Sequence, residues 1–149
     1  MLRKAMFISA VSALCALVAG CASGPKVSES GAIKQTVPNG KSQIIVYRTS
    51  LLGAAVQPAV LLDGRRIGAC APNGAFNAFV SPGPHQLSAT TEVTETINVN
   101  APAGRTAYVK CSIWFGFFIG RPAWEEVPPS IGANEIQSLS FTGAVIPDK

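Results

Sequence analysis

Short apolar runs, broken by turn residues every 8–12 positions or so, predict an all-β protein: a small antiparallel β-sandwich of about seven strands. Two further observations agree. The runs are rich in β-branched and aromatic residues, which suit a half-buried pleated surface. There is no alternation of strands with helical patterns and no internal repeat. A chain of 149 residues is the size of one domain. The expected organisation is residues 1–20 as a cleaved signal, 21–41 as an attachment point and flexible linker, and 42–149 as the sandwich.

The signal comes first. Met1-Leu2-Arg3-Lys4 is basic, residues 5–19 are apolar, and Val18-Ala19-Gly20-Cys21 closes the stretch with small residues. That is the plan of a secretory signal. A cysteine directly after Ala-Gly resembles the lipobox of bacterial lipoproteins, Leu/Val-Ala/Ser-Gly/Ala-Cys. The resemblance implies that Cys21 becomes the lipidated N-terminus and attaches the protein to a membrane. Ala22 rather than Asp follows it, and similarity to Gram-negative sorting signals then implies the outer membrane, on its periplasmic side. The rival reading is an uncleaved anchor, but an apolar run of roughly 15 residues is short against the ~20 of a membrane-spanning helix. From residue 22 to about residue 41 the chain is small and polar without apolar period, so a flexible tether averaging ~25 Å is expected.

The strands follow in order. Residues 42–48, with Ile44, Ile45, Val46 and Tyr47, form the first. Residues 51–57 are a small-residue loop. Runs at 59–62 and 65–70 flank Asp63-Gly64, a two-residue hairpin turn that needs positive φ at both positions. Pro72-Asn73-Gly74 turns the chain into a strand over 75–80. Ser81-Pro82-Gly83-Pro84 breaks it, and residues 85–90 and 92–99 alternate polar with apolar side chains. After the turn at Ala101-Pro102-Ala103-Gly104 comes a long strand over 106–115. Residues 123–127 read as a short strand ended by Pro128-Pro129, and 130–141 as one short helix or strand with Asn134 as a cap.

Charge and cysteine usage narrow the function classes. The formal charge is +4, from twelve basic and eight acidic residues. Loss of Arg3 and Lys4 with the signal reduces it to +2, and the remaining basic residues are scattered, so nucleic-acid binding has no footprint. Cys15 leaves with the signal and Cys21 takes the lipid, which leaves Cys70 and Cys111 in an oxidising compartment. They are either two separate buried thiols or a bridge closing about 40 residues, with ~4 kcal/mol of stabilisation by chain entropy.

Several stretches taken together resemble a known family. They are Ile45-Val46-Tyr47-Arg48; Val60-Leu61-Leu62-Asp63-Gly64 with Ile67-Gly68; Gly74-Ala75-Phe76; Pro82-Gly83-Pro84-His85-Gln86-Leu87; and Gly104-Arg105-Thr106-Ala107-Tyr108-Val109. This pattern is similar to bacterial lipoproteins carrying domain of unknown function 2846, over residues 42–127. Ala107 departs from it, standing where the family has the first of two tyrosines. The Pro-Gly-x-His corner also resembles the small surface β-domains called PEGA. The resemblance implies a lipid-anchored β-sandwich and no activity.

Candidates for chemistry are few. His85 is the only histidine; the expected role is a strand-start residue whose ring bonds the preceding turn. A zinc site needs three or four ligands, and Cys70, Cys111 and His85 would meet only by coincidence. Glu92 and Glu95 sit on one exposed-looking strand. Glu125 and Glu126 are adjacent, so a strand turns them to opposite faces, unlike the facing carboxyls of a glycosidase. No glycine-rich phosphate loop precedes a helix. No catalytic residue, metal or cofactor is therefore expected. The segment holding Trp114, Phe115, Phe117 and Phe118, followed by Arg121 and Trp124, has two readings. It is either a core strand with a covering hairpin, or an exposed apolar lip that contacts a partner, a ligand or a membrane surface. The function expected is a membrane-anchored periplasmic lipoprotein acting as a non-catalytic interaction module, with an envelope protein or polymer as partner. The alternatives are a carrier or sensor of a lipid or other apolar ligand and, less favoured, a hydrolase.

Overall fold

The structure, a computed structural model, describes residues 22–31, 33 and 36–143. The signal expected over 1–20 and the lipidation expected at Cys21 fall outside the described residues. The fold is an all-β sandwich. In chain order the elements are α1 (Val27–Ser30), β1 (Ser42–Arg48), β2 (Ala59–Leu62), β3 (Arg65–Ala69), β4 (Gly74–Val80), β5 (Gly83–Thr90), β6 (Thr94–Ala101), β7 (Thr106–Trp114), β8 (Arg121–Val127), α2 (Pro129–Glu135), a 3-10 turn (Ile136–Ser138) and β9 (Ser140–Phe141). One sheet has the order β8-β7-β1-β4-β9, the other β3-β2-β5-β6. The β1·β7 and β4·β9 pairs are parallel and the remaining pairs antiparallel. Nine strands stand where about seven were expected: each run read from the sequence has its counterpart among β1–β8, and the chain after Val127 adds β9 as a two-residue edge. At that hairpin Asp63 and Gly64 both hold positive φ (49° and 80°), as a two-residue turn requires.

Burial explains the strand sequences. Ile44, Val46, Phe76, Val109 and Cys111 from the larger sheet meet Val60, Leu62, Ile67, Leu87 and Val99 from the smaller one. Phe76 lies flat on Gly68, where a Cβ would stand 2.7 Å from the ring. Every residue of β1 is buried, which is why that strand reads as a near-continuous apolar run rather than an alternating one. Its second face, Ile45 and Tyr47, packs under a smaller cluster of Val27, Val127, Ile136 and Leu139. Cys70, just past β3, and Cys111 on β7 form a disulfide that ties one sheet to the other inside the core.

The flexible tether expected over 21–41 is corrected for its first part. Residues 22–31 are hydrogen-bonded to the sandwich. Ala22 N donates to Pro72 O at 3.1 Å, Val27 N to Leu139 O at 2.8 Å, and Phe141 N to Pro25 O at 2.8 Å. Val27 is buried in the outer cluster. A lone valine in a small, polar stretch has no period to betray it, and its backbone partner Leu139 and much of its packing cluster lie far along the chain. Gly104 N donates to Lys41 O at 2.8 Å, at the opposite end of the sheet. Residues 22–31 therefore lie against the sandwich at one end, and Lys41 is held at the other.

Candidate functional site

The strand directions sort the loops into two ends. β1 runs from Ser42 to Arg48, β7 is parallel to it, and Arg48 pairs with Gly74. One end of the sandwich thus gathers residues 49–58, the turn at 71–73, the turn at 91–93, the β7–β8 connection and Ala22. The other gathers the Asp63-Gly64 turn, residues 81–82 and residues 102–105.

At the first end, β7 continues to Trp114, about 10 Å past the level of Arg48 at strand rise. Residues 114–119 then form a lip. Phe115, Phe117 and Phe118 are 82%, 86% and 91% exposed, and Trp114 and Ile119 are also exposed. Of the two readings of this segment, the core strand with a covering hairpin holds only for Ile113, which is buried; the rest is exposed. Arg121, opening β8, is half-exposed. Trp124 is half-buried against the core, and its Nε1 donates to Glu95 O at 3.1 Å.

The lip has a defined shape because Glu92 holds it. The carboxylate accepts from Phe117 N at 2.8 Å and Phe118 N at 3.0 Å, and pairs with Arg121 Nε at 3.4 Å. These bonds, led by the one from Phe118, keep Glu92 below the ordinary carboxylate range. Thr91 Oγ1 donates to Gly120 O at 2.5 Å. Gly116 is required because a Cβ there would overlap the Glu92 carboxylate, and Gly120 because its φ is +112° and a Cβ would stand 2.8 Å from Ile113. Glu92 was expected on an exposed strand; it lies in the β5–β6 turn, and nothing in its local sequence announces a partner some 25 residues away.

Arg48 shapes the neighbouring loop. Its guanidinium is fully buried and meets carbonyls alone: Ser50 O (3.0 Å), Val56 O (2.9 Å), Cys70 O (2.9 Å) and Leu52 O (2.5 Å). Burial lowers its pKa from the usual arginine value. The loop so held carries exposed Leu51 and Leu52, and its Gly53 packs on Ile113 beneath the lip. Sequence reading had assigned neither leucine a role.

At the other end, Asp63 Oδ2 meets His85 Nδ1 at 2.6 Å, Asp63 Oδ1 accepts from Gln86 N at 2.9 Å, and His85 Nε2 meets Ser81 O at 2.8 Å. His85 thus bonds the preceding turn and also the hairpin opposite. On the outer face of the larger sheet, Glu135 accepts from Tyr47 Oη at 2.6 Å and from Lys110 Nζ at 2.9 Å, which docks α2. Burial first, and this bond second, raise the Tyr47 pKa well above the usual phenol; the Lys110 and Tyr47 bonds lower that of Glu135. Beside it runs an open groove of about 950 Å³ between α1, β1, β7 and α2. Gln43 is among its lining residues; its Nε2 is buried and without a hydrogen-bond partner among the described residues, while its Oε1 accepts from Thr106 Oγ1 at 2.9 Å. Among the described residues no group of three His, Cys, Asp or Glu side chains is placed to hold a metal ion.

Fold and site together define a disulfide-bridged β-sandwich with an apolar lip at one end and a polar corner at the other. Comparison with known proteins places it further. The family described as "Protein of unknown function (DUF2846)" matches residues 38–120, more than half of the chain, and the chain belongs to it. The match runs from just before β1 to Gly120 at the foot of the lip. An uncharacterised protein of Haemophilus influenzae is 28% identical over 130 residues, covering 84% of this chain and 77% of its own. No solved structure matches.

Proposed function

We propose that the protein is a lipid-anchored lipoprotein of the bacterial envelope, held on the periplasmic side of the outer membrane, and that its sandwich is a non-catalytic interaction module. The observation that carries this is Val18-Ala19-Gly20-Cys21 behind a basic start and an apolar run. More than one acyl chain is needed for stable anchoring, and a lipobox cysteine supplies a site for that. The likeness of the Pro82-Gly83-Pro84-His85 corner to PEGA domains supports a surface β-module. Against a hydrolase, both ring nitrogens of His85 are occupied by Asp63 and a backbone carbonyl. The test is Cys21→Ser in cells fed labelled palmitate. Loss of label and of membrane fractionation is expected; a mutant that still labels and sediments with membranes would discard the anchor.

A second reading is a carrier of an apolar ligand. The lip offers only open depressions, lined by Phe115, Gly116, Phe117 and Arg121 on one side. The groove beside Gln43 favours this reading instead, since it has room and is lined in part by Val27, Ile33, Val37 and Tyr108. Native mass spectrometry of the purified protein separates the two: a bound lipid of fixed stoichiometry supports the carrier, a ligand-free mass the interaction module.

A further inference from the structure

All the large hydrophobic side chains exposed among the described residues, Ile131 excepted, lie at one end of the sandwich: Leu51, Leu52 and the five of the lip. The chain enters the described fold at that same end, where Ala22 N is bonded to Pro72 O beside the start of β4. The residues before Ala22 are the apolar run 5–19 and Cys21. Whether the link to a membrane is a lipidated Cys21 or the retained apolar run, it leaves from the end that carries the lip. With residues 22–31 bonded back onto the sandwich, little free chain remains to hold that end away from the bilayer.

We infer that the lip and the Leu51-Leu52 loop seat in the surface of the anchoring bilayer, so that the sandwich stands on the membrane by this end rather than hanging from a tether. The inference deepens the lipoprotein reading and rests on it for the chemistry of the link, not for the position of Ala22.

The lip is suited to lipid in three ways. Its side chains are tryptophan, phenylalanine and isoleucine, which partition to the headgroup and upper acyl region. It projects outward, and the depression beside Phe115 and Phe117 is shallow and open rather than the deep pocket into which a protein partner's anchor residues pack. Its tip backbone can leave water, because the Phe117 and Phe118 amides already donate to Glu92 and unpaired amides are what an apolar phase penalises. The charges that touch the lip, Glu92 and Arg121, pair with each other. The far end carries Asp63, Arg65, Arg66 and Arg105, all exposed, and on this arrangement faces the periplasm.

The chain has two tryptophans, which makes the test direct. In Trp124→Phe, Trp114 in the lip is the sole reporter; in Trp114→Phe, Trp124 further up β8 is. The protein purified from membranes is reconstituted in vesicles of phosphatidylethanolamine and phosphatidylglycerol brominated high on the acyl chains. Trp114 emission should be quenched at least about threefold more than Trp124, as expected of an interfacial aromatic. Adding Phe117→Glu and Phe118→Glu to Trp124→Phe should bring Trp114 down to the Trp124 level. Both substitutions fall on exposed tips, and an intact Cys70–Cys111 bridge with unchanged β-sheet circular dichroism shows that the fold persists. Equal, weak quenching of both tryptophans in acylated protein overturns the inference and leaves the lipoprotein reading standing. Strong Trp114 quenching in protein without acyl label does the reverse. A photoreactive residue at Phe117 that yields a protein adduct in cells and no lipid adduct also overturns it, in favour of a protein partner.

Discussion

The two ends of the sandwich are organised by the same device and present opposite surfaces. At each, one carboxylate in a turn reaches across to a neighbouring segment, the start of β5 in one case and the lip in the other, and accepts backbone N–H groups: Asp63 from Gln86, Glu92 from Phe117 and Phe118. Each also takes a basic partner, His85 in one case and Arg121 in the other. Around Asp63 the loops are polar, with arginines alongside. Around Glu92 they carry exposed aromatics. A carboxylate in a turn is therefore no guide to chemistry in this fold. It orders a loop, and the side chains that the loop displays decide what the end can contact.

The comparison can be broken most forcefully through the bridge between the sheets. Replacing both Cys70 and Cys111 by Ala should cost about 4 kcal/mol on the chain-entropy account, read as a lower urea midpoint that reductant no longer shifts. Both ends would be weakened, which sets the scale for the rest. Next comes Arg48→Met. Four carbonyls lose their donor, and a loss of about 3 kcal/mol is expected from groups left unsatisfied in a buried site. Hydrogen exchange should rise in residues 49–58 and at Cys70 while the Asp63 corner stays protected; a uniform rise would mean that Arg48 supports the whole sandwich instead of one end.

Smaller effects sharpen the contrast. Glu92→Gln should speed exchange of the Phe117 and Phe118 amides by about tenfold, a local opening without global unfolding, and should leave Gln86 unchanged. Acid should do the same. The folded-state pKa values of Glu92 and Glu135 lie below the ordinary 4.5. Their contribution is therefore complete above pH 4.5 and is lost as pH falls through the depressed values. Exchange at the lip and at α2 measured against pH should report it, and a flat profile would count against both bonds. The smallest change expected is Asp63→Asn, about 0.5–1 kcal/mol, because the side chain is half-exposed and water replaces its bonds. Denaturant unfolding that gives a loss as large as that of Arg48→Met would show that the polar corner, not the lip end, dominates.

Much of the fold was legible in the chain. The β1 boundaries match those read from the β-branched run, and the Asp63-Gly64 hairpin forms with the turn that those two residues dictate. Both signals are local, so neighbouring residues suffice to reveal them. The docking of residues 22–31 was not legible, because it depends on Leu139 and Phe141. Nor was the exposure of the lip: an apolar, glycine-broken run has the same composition whether it is buried or displayed.

What this sequence determined by itself is the class of fold and the strand order along the chain, both of which arise from side-chain periodicity and turn stereochemistry. Only the tertiary structure decided which loops share an end, that Cys70 meets Cys111, and that Glu92 holds the lip open to its surroundings. Those outcomes depend on strand direction and sheet order, which bring residues tens of positions apart within hydrogen-bonding distance.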